Sequence, residues 1–429
     1  MVVERLGRTE ALMNADRPAS NAKACNLSCD ISFHVPMTHR LRFTEEVAGD
    51  DFPQLLALLQ GQPAGPLELA GSARAPSAFP FAPSKALVWA DDDVARASDR
   101  VARIAAQLIE SERVELVAPV RSFTGGESIK NAPVVVETML KQINDCNLDR
   151  RSYIIAIGGG ALLDVAGYAA AIAHRGVRLI RIPTTTLAQA DSGVGVKNAI
   201  NYFGKKNWVG TFAVPWGVIN DSGFLTTLPD REFNCGFSEA VKVSLLKSPA
   251  MFEDLCANAS RIAARDMAIA QRMIAESCRM HLKHITEGGD PFESLESRPL
   301  DFGHWSAHRM EPMTNYTLRH GEAVALGVAL DSWYSALKHG LPPSVAEKVG
   351  RCLIDLGLPL WDESLDDFDR VLVGLEEFRQ HLGGRLTVTM LRGIGDPIDV
   401  HEIDPAAMRL AATNLHAFAR KNAFGQVST

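Results

Sequence analysis

Three histidines are concentrated in one short stretch of the sequence. His304, His308 and His320 lie within seventeen residues of one another, out of twelve histidines in the chain. His304 and His308 are four positions apart, so a helix would present both imidazoles on the same face. Imidazole nitrogen is a frequent ligand of zinc-type ions, which makes this stretch a candidate metal site. Histidines on helices are also common as core or surface residues, and the spacing alone leaves both interpretations open.

A carboxylate that could complete such a site lies on another predicted helix. Glu239 and Lys242 fall within residues 231–246, whose apolar spacing predicts a helix. The glutamate could bind a metal ion, and the lysine would follow one helical turn later. Without further context, an ordinary exposed Glu–Lys pair is the simpler interpretation.

A glycine-rich turn could bind a pyrophosphate. Gly158, Gly159 and Gly160 follow a predicted strand and precede a predicted helix that carries Asp164 near its start. Such a turn presents backbone amides and a helix N-terminus to an anion. Thr184 and Thr185 follow the next strand and would add hydroxyls at the same sheet edge. A tight turn without a ligand and plain helix capping by the threonines are the alternatives.

Residues 191–207 combine an acid, lysines and an amide with several glycines. Asp191, Lys197, Lys206 and Asn207 lie in this region. Ammonium and amide donors around a flexible backbone suit a phosphorylated substrate. A solvated hairpin is the alternative.

The elements that would position these groups change in character along the chain. Apolar strands at residues 86–90, 114–119, 153–157 and 177–182 alternate with helices at residues 92–111, 132–144 and 162–173, which predicts a parallel sheet covered on both faces. Beyond residue 228 helical spacing dominates, with one long helix predicted over residues 262–286. We expect a flexible N-terminal extension at residues 1–28, an α/β domain of Rossmann-like fold at residues 29–228 and an all-α or mainly helical domain at residues 229–429.

Composition excludes several classes of protein. The formal net charge of -7 gives no electrostatic reason to bind nucleic acid or an anionic membrane. No run of eighteen apolar residues predicts a membrane span, and the first residues lack the apolar region of a signal peptide. The seven scattered cysteines favour free thiols in a reducing compartment, so we expect a cytoplasmic protein.

Taken in order, the segments between residues 85 and 395 resemble the sugar-phosphate cyclases, the family typified by 3-dehydroquinate synthase. The resemblance depends on the whole set of motifs and on their order. These motifs are residues 125–130, 158–164, 175–178, 183–185, 191–197, 204–207, 225–229, 239–242, 302–304 and 320–324.

The resemblance implies two cofactors, a divalent metal and NAD. Zinc is the expected metal, with cobalt as an alternative, and its implied ligands are Glu239, His304 and His320. The implied NAD contacts are Asp91, Glu127, Lys130, Gly158, Gly159, Gly160, Asp164, Thr184, Thr185, Lys197, Lys206 and Thr227.

The resemblance also implies a phosphorylated sugar substrate and a homodimer. The residues expected to act on the substrate or its phosphate are Asp191, Lys197, Asn207, Lys242, Lys283, Asp301, His308 and, reaching into the neighbouring subunit, Arg175. The family reaction oxidises a substrate hydroxyl with NAD, eliminates phosphate, returns the hydride and closes a carbocycle by an intramolecular aldol step.

The sequence departs from 3-dehydroquinate synthase where that enzyme holds a substrate carboxylate. Ser297 stands in place of an arginine, with Arg298 one position later, and Asp301 stands in place of an asparagine. A lysine expected near residues 378–382 is also missing. These departures favour a neutral ketose phosphate such as sedoheptulose 7-phosphate over 3-deoxy-arabino-heptulosonate 7-phosphate, because an anion beside another anion is costly. Arg298 could still bind a carboxylate.

Two other functions are compatible with this architecture. A glycerol-dehydrogenase-type enzyme would oxidise a polyol and release NADH, although a polyol needs no cluster of lysines. An inactive scaffold homologue is the alternative outside enzymes, and the retained metal ligands and lysines argue against it.

Overall fold

The computed structural model describes residues 30–61, 84–293, 299–381 and 383–423. The predicted N-terminal extension lies outside these ranges, as do Ser297 and Arg298. Residues 30–37 contain no helix or strand, and the first strand is Leu41–Thr44.

The sequence predicted a parallel sheet, and this sheet contains seven strands. Their spatial order is β1-β9-β6-β5-β2-β3, and β4 pairs with the end of β2 beyond β3. These strands are β1 (Leu41–Thr44), β2 (Ser84–Asp91), β3 (Val114–Leu116), β4 (Arg121–Phe123), β5 (Tyr153–Gly158), β6 (Arg178–Pro183) and β9 (Gly217–Asp221). Two antiparallel hairpins add β7 (Lys197–Tyr202) with β8 (Lys205–Phe212) and β10 (Val388–Gly393) with β11 (Asp396–Val400).

Helices cover both faces of this sheet. They are α1 (Phe52–Leu59), α2 (Asp92–Ala97), α3 (Arg100–Glu110), α4 (Pro133–Asp145) and α5 (Gly160–Ile172). Alternate residues of β5 enter two separate cores: Ile155 and Ile157 pack on the side of α1 and α3, and Ile154 and Ala156 on the side of α4 and α5. Burial on both faces explains why the strands are continuously apolar.

The second half of the chain is mainly helical. Its helices are α6 (Asp230–Lys247), α7 (Pro249–Ala263), α8 (Met267–Glu287), α9 (His304–Met313), α10 (His320–Lys338), α11 (Pro343–Asp355), α12 (Phe368–His381) and α13 (Pro405–Ala423). Most residues of α6 and α10 are buried, and these helices share one large core with α7, α8 and α9. No helix in the described ranges is both long enough and apolar enough to cross a membrane. The domain boundary at residue 228 stays a prediction.

One helix predicted as continuous is interrupted, and the helix predicted at residues 262–286 begins five residues later than predicted, at Met267. Between α2 and α3, Ser98 is fully extended, with φ of -159° and ψ of 167°. Between α7 and α8, Arg265 adopts a left-handed φ of 63°, and the side chain of Asp266 accepts a hydrogen bond from the amide of Ile269. Serine and aspartate compete with helix hydrogen bonds and favour caps, which the apolar periodicity did not reveal. The hairpin β10–β11 and helix α13 were not predicted.

The region predicted as a glycine-rich loop contains the β7–β8 hairpin. Its turn places Phe203 and Gly204 at left-handed φ values of 53° and 68°, as a tight two-residue hairpin turn requires. Lys197 begins the first strand, and Lys206 and Asn207 lie on the second. The hairpin alternative is therefore correct for the backbone.

Candidate active site

The structure brings the three predicted metal ligands together from three helices. Glu239 lies in the middle of α6, and His304 and His320 are the first residues of α9 and α10. Oε1 of Glu239 is 3.4 Å from Nε2 of His304 and 3.5 Å from Nε2 of His320. We call Glu239, His304, His308 and His320 the metal cluster, because ligand atoms of the three histidines also lie within 4.8 Å of one another.

A glycine allows this convergence. Gly303, immediately before α9, has a φ of 78°, and a Cβ atom there would stand 2.6 Å from the backbone nitrogen of Val328 on α10. Because Gly303 has no side chain, the start of α9 can lie directly against the backbone of α10. Asp331 of α10 secures the contact by accepting hydrogen bonds from the amide of Gly303 and the indole of Trp305, each 3.0 Å long.

The two predicted histidine ligands are oriented for metal binding. Nδ1 of His304 lies 3.1 Å from the carbonyl oxygen of Phe302, and Nδ1 of His320 lies 3.0 Å from Oε2 of Glu311. If each Nδ1 carries the proton and donates it, both Nε2 lone pairs point toward Glu239. Both Glu239 oxygens are buried without a hydrogen-bond partner of good geometry in the described part of the chain. This donor set fits a divalent cation.

Charge compensation in the metal cluster is strong. Burial by itself would raise the pKa of Glu239, but the charges of Lys242 and His304 hold it well below its ordinary value. Nζ of Lys242 lies 2.5 Å from Oε2 of Glu239. Burial opposes the charged form of His320, yet Glu311 and Glu239 raise its pKa to about 9. A divalent cation would replace that proton, because a histidine ligand must be neutral.

His308 joins the metal cluster as a fourth donor. Its ring centroid is 5.3 Å from that of His304 and 5.8 Å from that of His320. Burial and the neighbouring Lys206 keep the pKa of His308 well below its ordinary value, so its imidazole is neutral. His308 can therefore bind either a metal ion or a substrate hydroxyl.

Lys242 is surrounded by acidic residues. Burial alone would lower its pKa, but Glu239, Asp191 and Asp301 together raise it. Asp191 lies in a single π-helical turn, Ala188–Ser192, and its Oδ1 is 2.5 Å from Nδ1 of His281 on α8. Burial would raise the pKa of Asp191, whereas His281 and Lys242 lower it. Asp191, Lys242 and Asp301 thus border the metal cluster, and their role as substrate residues stays a prediction.

The glycine-rich turn and the threonines share the carboxyl edge of the sheet. Strands β2, β5 and β6 are neighbours and end at Asp91, Gly158 and Pro183, so Asp91, the three glycines and Thr184 meet at this edge. Helix α5 begins at Gly160 and directs its free amides there. A Cβ atom on Gly160 would lie 2.6 Å from Oγ of Ser192. We call this region the nucleotide edge, because a pyrophosphate needs both the amides and the open backbone.

Other predicted nucleotide residues form a polar group beside α5. Nζ of Lys130 lies 2.6 Å from Oδ2 of Asp164 and donates a hydrogen bond of 2.6 Å to Oδ1 of Asn207. Glu127 is 3.9 Å from the same ammonium group. Lys130 is buried, so these neighbours satisfy its charge in the present structure.

In the described part of the chain, some predicted residues make their contacts outside the metal cluster and the nucleotide edge. Lys283 is 73% exposed at its side chain and lies 3.9 Å from Glu287 of its own helix. The side chain of Lys197 is 55% exposed and pairs with Glu293. Thr227 donates to the carbonyl of Phe224 and acts within its own turn. Thr185, in contrast, lies at the nucleotide edge near Gly159, and its hydroxyl accepts a hydrogen bond from the amide of Ala188.

Arg175 lies away from the metal cluster, on a surface of the α/β half. It has a left-handed φ of 63° and lines a cavity of about 220 Å³ together with Arg150, Arg178 and Trp216. A role in the active site of the same chain is therefore not supported by its position.

Two residues of the site were missed by the sequence analysis. Glu311 is 2% exposed and contacts both Lys206 and His320. Its position seven residues after His304 places it on the face that carries His304 and His308, so helical spacing could have identified it. His281 shows no comparable signal, because its partner Asp191 is ninety residues away in sequence.

Comparison with known proteins now identifies the family. Residues 121–235 match the N-terminal model of 3-dehydroquinate synthase, and residues 236–376 match its C-terminal model. The chain belongs to the 3-dehydroquinate synthase family. It is thus a sugar-phosphate-cyclase-type enzyme, a carbon–oxygen lyase by class, as the motifs predicted.

Relatives within the 3-dehydroquinate synthase family carry more than one activity name. The chain is 36% identical over 295 residues to 3-dehydroquinate synthase of Halorhodospira halophila, covering 68% of this chain and 82% of the relative. It is 32% identical over 335 residues to 2-epi-valiolone synthase of Actinosynnema mirum, covering 77% of this chain and 86% of the relative.

A solved structure supports the fold. A 2-epi-5-epi-valiolone synthase from Streptomyces hygroscopicus, solved with NAD⁺ and Zn²⁺, superposes with a TM-score of 0.76 at 24% identity. The alignment covers 91% of this chain and 99% of that chain. The predicted fold class, an α/β domain with a parallel sheet followed by a helical domain, is confirmed.

Proposed function

We propose that this family member is an NAD- and divalent-metal-dependent cyclase of a neutral seven-carbon ketose phosphate, of the sedoheptulose 7-phosphate type. The observation that carries this proposal is the proximity of the metal cluster to the nucleotide edge. Ser192 would touch a Cβ atom on Gly160, while its neighbour Asp191 interacts electrostatically with Glu239 and Lys242. A substrate between the two regions would therefore face both.

The cofactor assignments rest on donor chemistry. Glu239, His304 and His320 would hold the metal, and His308 is available as a further donor. Zinc or cobalt suits one carboxylate and two or more imidazoles. When bound, the metal supplies Lewis acidity and NAD supplies a hydride acceptor. NAD is also bound in the related structure from Streptomyces hygroscopicus.

Lys242 would stabilise negative charge on a substrate oxygen. Its raised pKa keeps it protonated, and its acidic neighbours hold the ammonium group in place. Asp191 is held by His281 in turn. We assign Lys242 to orientation and charge stabilisation of the reacting hydroxyl, and His308, as a neutral imidazole, to a hydrogen bond with another hydroxyl.

The neutral sugar is favoured by the charge of Asp301. Asp301 lies close enough to Lys242 to raise the pKa of that lysine, so a carboxylate stands beside the proposed substrate site. A second, substrate carboxylate there would be repelled.

Phosphate recognition would come from three residues outside the metal cluster. Lys197 and Asn207 lie on the hairpin, and Lys283 lies on α8 with its side chain exposed. Recruitment of Lys197 by a phosphate would require its ion pair with Glu293 to open. We further propose a cytoplasmic homodimer in which Arg175 completes the site of the neighbouring subunit, since Arg175 lies outside the site of its own chain.

The decisive experiment measures phosphate release from two substrates. The protein is incubated with NAD, a divalent metal and either sedoheptulose 7-phosphate or 3-deoxy-arabino-heptulosonate 7-phosphate. We expect phosphate release from sedoheptulose 7-phosphate without accumulation of NADH, because the hydride is returned within each turnover. Turnover of the heptulosonate alone would identify a 3-dehydroquinate synthase, and stoichiometric NADH with a polyol would support the glycerol dehydrogenase alternative.

A matched variant tests the role of Asp301. Asp301→Asn should raise kcat/KM for the heptulosonate relative to sedoheptulose 7-phosphate by about 10- to 100-fold, because it removes a charge that opposes the substrate carboxylate. Unchanged relative kcat/KM values would show that Asp301 does not determine the choice of substrate.

A further inference from the structure

One carboxylate joins the metal cluster to the β7–β8 hairpin. Both oxygens of Glu311 lie 2.7 Å from Nζ of Lys206 on β8, and Oε2 is also 3.0 Å from Nδ1 of His320. Glu311 is almost completely buried, and the side chain of Lys206 is 14% exposed. If the two side chains separated, each buried charge would lose its partner, which costs free energy.

Each contact of Glu311 has a separate consequence. Its hydrogen bond from Nδ1 of His320 fixes the tautomer that leaves Nε2 free toward Glu239. Its ion pair holds the ammonium group of Lys206, which is also attracted by Glu127 from the α/β half. Lys206 and Glu127 are both residues for which the resemblance implies NAD contacts.

We propose that Glu311 is a positioning residue that couples metal binding to NAD binding. This inference rests on the proposed function, in which His320 binds metal and Lys206 contacts the nucleotide. A divalent metal ion on Nε2 replaces the proton of His320 and adds one positive charge, and the hydrogen bond from Nδ1 directs this charge toward Glu311. The carboxylate then neutralises Lys206 less, and the ammonium group attracts the anionic nucleotide more strongly.

The coupling has a definite sign and must be reciprocal. Bound metal should raise the affinity for NAD, and bound NAD should raise the affinity for metal by the same factor. Couplings of this kind commonly amount to about 5- to 150-fold, and we expect about 10-fold here.

The test measures both affinities in wild type and in Glu311→Gln. Zn²⁺ affinity is measured by competition with a chelator, with and without saturating NAD, and NAD affinity is measured by calorimetry with and without Zn²⁺. Wild type should show the coupling in both directions. Glu311→Gln should bind Zn²⁺ about 10- to 100-fold more weakly and should lose the coupling, because the neutral amide cannot transmit the change in charge.

Two further variants separate this role from simple destabilisation. Lys206→Met should bind Zn²⁺ at least as tightly as wild type, because no ammonium group then neutralises Glu311, but it should lose the coupling. Glu322→Gln removes another carboxylate near the start of α10, one that pairs with Arg231, and should keep both Zn²⁺ affinity and coupling. Glu322→Gln therefore controls for general loosening of that helix.

The possible contrary results are distinguishable. Equal NAD affinity with and without Zn²⁺ in wild type would overturn the coupling while leaving both cofactor assignments intact. Wild-type coupling in Glu311→Gln, or its loss in Glu322→Gln, would overturn the assignment to Glu311. Failure of wild type to bind either Zn²⁺ or NAD would overturn the proposed function, and this inference with it.

Discussion

The metal cluster and the nucleotide edge are built by different physical means. At the metal cluster, buried charged side chains compensate one another: Glu239 is balanced by Lys242 and by the imidazoles of His304 and His320. At the nucleotide edge, glycines and the first amides of α5 leave open backbone beside Ser192. The metal cluster therefore depends on charge, whereas the nucleotide edge depends on space.

The two regions should therefore respond to different substitutions. Measured in the absence of the other cofactor, changes of charge with little change of volume should weaken metal binding and spare NAD binding. Additions of a single methyl group should do the reverse.

Loss of a metal ligand should have the largest effect. His304→Ala should lower metal content and turnover, each by more than about 100-fold, because one of the three proposed ligands is removed. Metal analysis of the purified variant and steady-state kinetics measure both quantities. His401→Ala, which changes an imidazole beside the β10–β11 hairpin, should leave both near wild type. Retention of one equivalent of tightly bound metal with a normal rate would transfer the ligand role from His304 to His308.

Removal of the buried cation should strongly destabilise the metal-free protein. Lys242→Met leaves Glu239 without its closest positive charge, which commonly costs about 3–5 kcal/mol of unfolding free energy. Added Zn²⁺ should recover more stability in this variant than in wild type, because the ion replaces the missing positive charge. Thermal unfolding with and without Zn²⁺ measures the effect, and exposed Lys247 on the same helix provides the control Lys247→Met. A melting temperature equal to that of wild type would contradict the electrostatic account.

A single methyl group should affect only the nucleotide edge. Gly160→Ala places a Cβ atom 2.6 Å from Oγ of Ser192, whereas Gly159→Ala places one 3.3 Å from a methyl group of Thr185. We expect NAD affinity to fall about 10-fold in Gly160→Ala and less in Gly159→Ala, with metal affinity unchanged in both. Ser192→Ala in the Gly160→Ala background should restore part of the affinity. Equal losses of NAD affinity in the two glycine variants, or a loss of metal affinity, would contradict this distinction between the nucleotide edge and the metal cluster.

Stability should also depend on pH, through the contact between α9 and α10. Burial raises the pKa of Asp331 to about 7, against the lowering influence of its hydrogen bonds from Trp305 and Gly303. The folded protein then keeps a proton that the unfolded chain loses near pH 4, so stability should fall as pH rises from about 4 to 7. The slope is at most about 1.4 kcal/mol per pH unit for one group.

Asp331→Asn should remove this contribution. As pH rises from 5 to 8, the unfolding free energy of wild type should fall relative to that of the variant. Asp396→Asn, at an exposed ion pair with Arg392, provides the control. Parallel pH profiles for wild type and Asp331→Asn would show that Asp331 does not titrate in this range.

Much of the fold and part of the site could be predicted from the sequence. Apolar strands alternating with helices predicted the parallel sheet, because a strand buried on both faces needs apolar residues throughout. The strand–Gly–helix order predicted the position of Gly158–Gly160 at a sheet edge. The spacing of His304 and His308 predicted a shared helical face, and both imidazoles do lie in the metal cluster. These features depend on residues close together in the chain, so local sequence patterns were enough to predict them.

The pairing of charged side chains could not be predicted from the sequence. Lys206 and Glu311 are 105 residues apart and Asp191 and His281 are ninety apart, so neither pair leaves a pattern in the sequence. The exposure of Lys197 and Lys283, in contrast to buried Lys130 and Lys242, likewise depends on how helices and hairpin pack. The pKa values of Glu239, His320 and Asp331 follow from burial and from neighbours brought in by other helices. The physical reason is that electrostatic interaction depends on distance in space and on the exclusion of water, and folding alone establishes both.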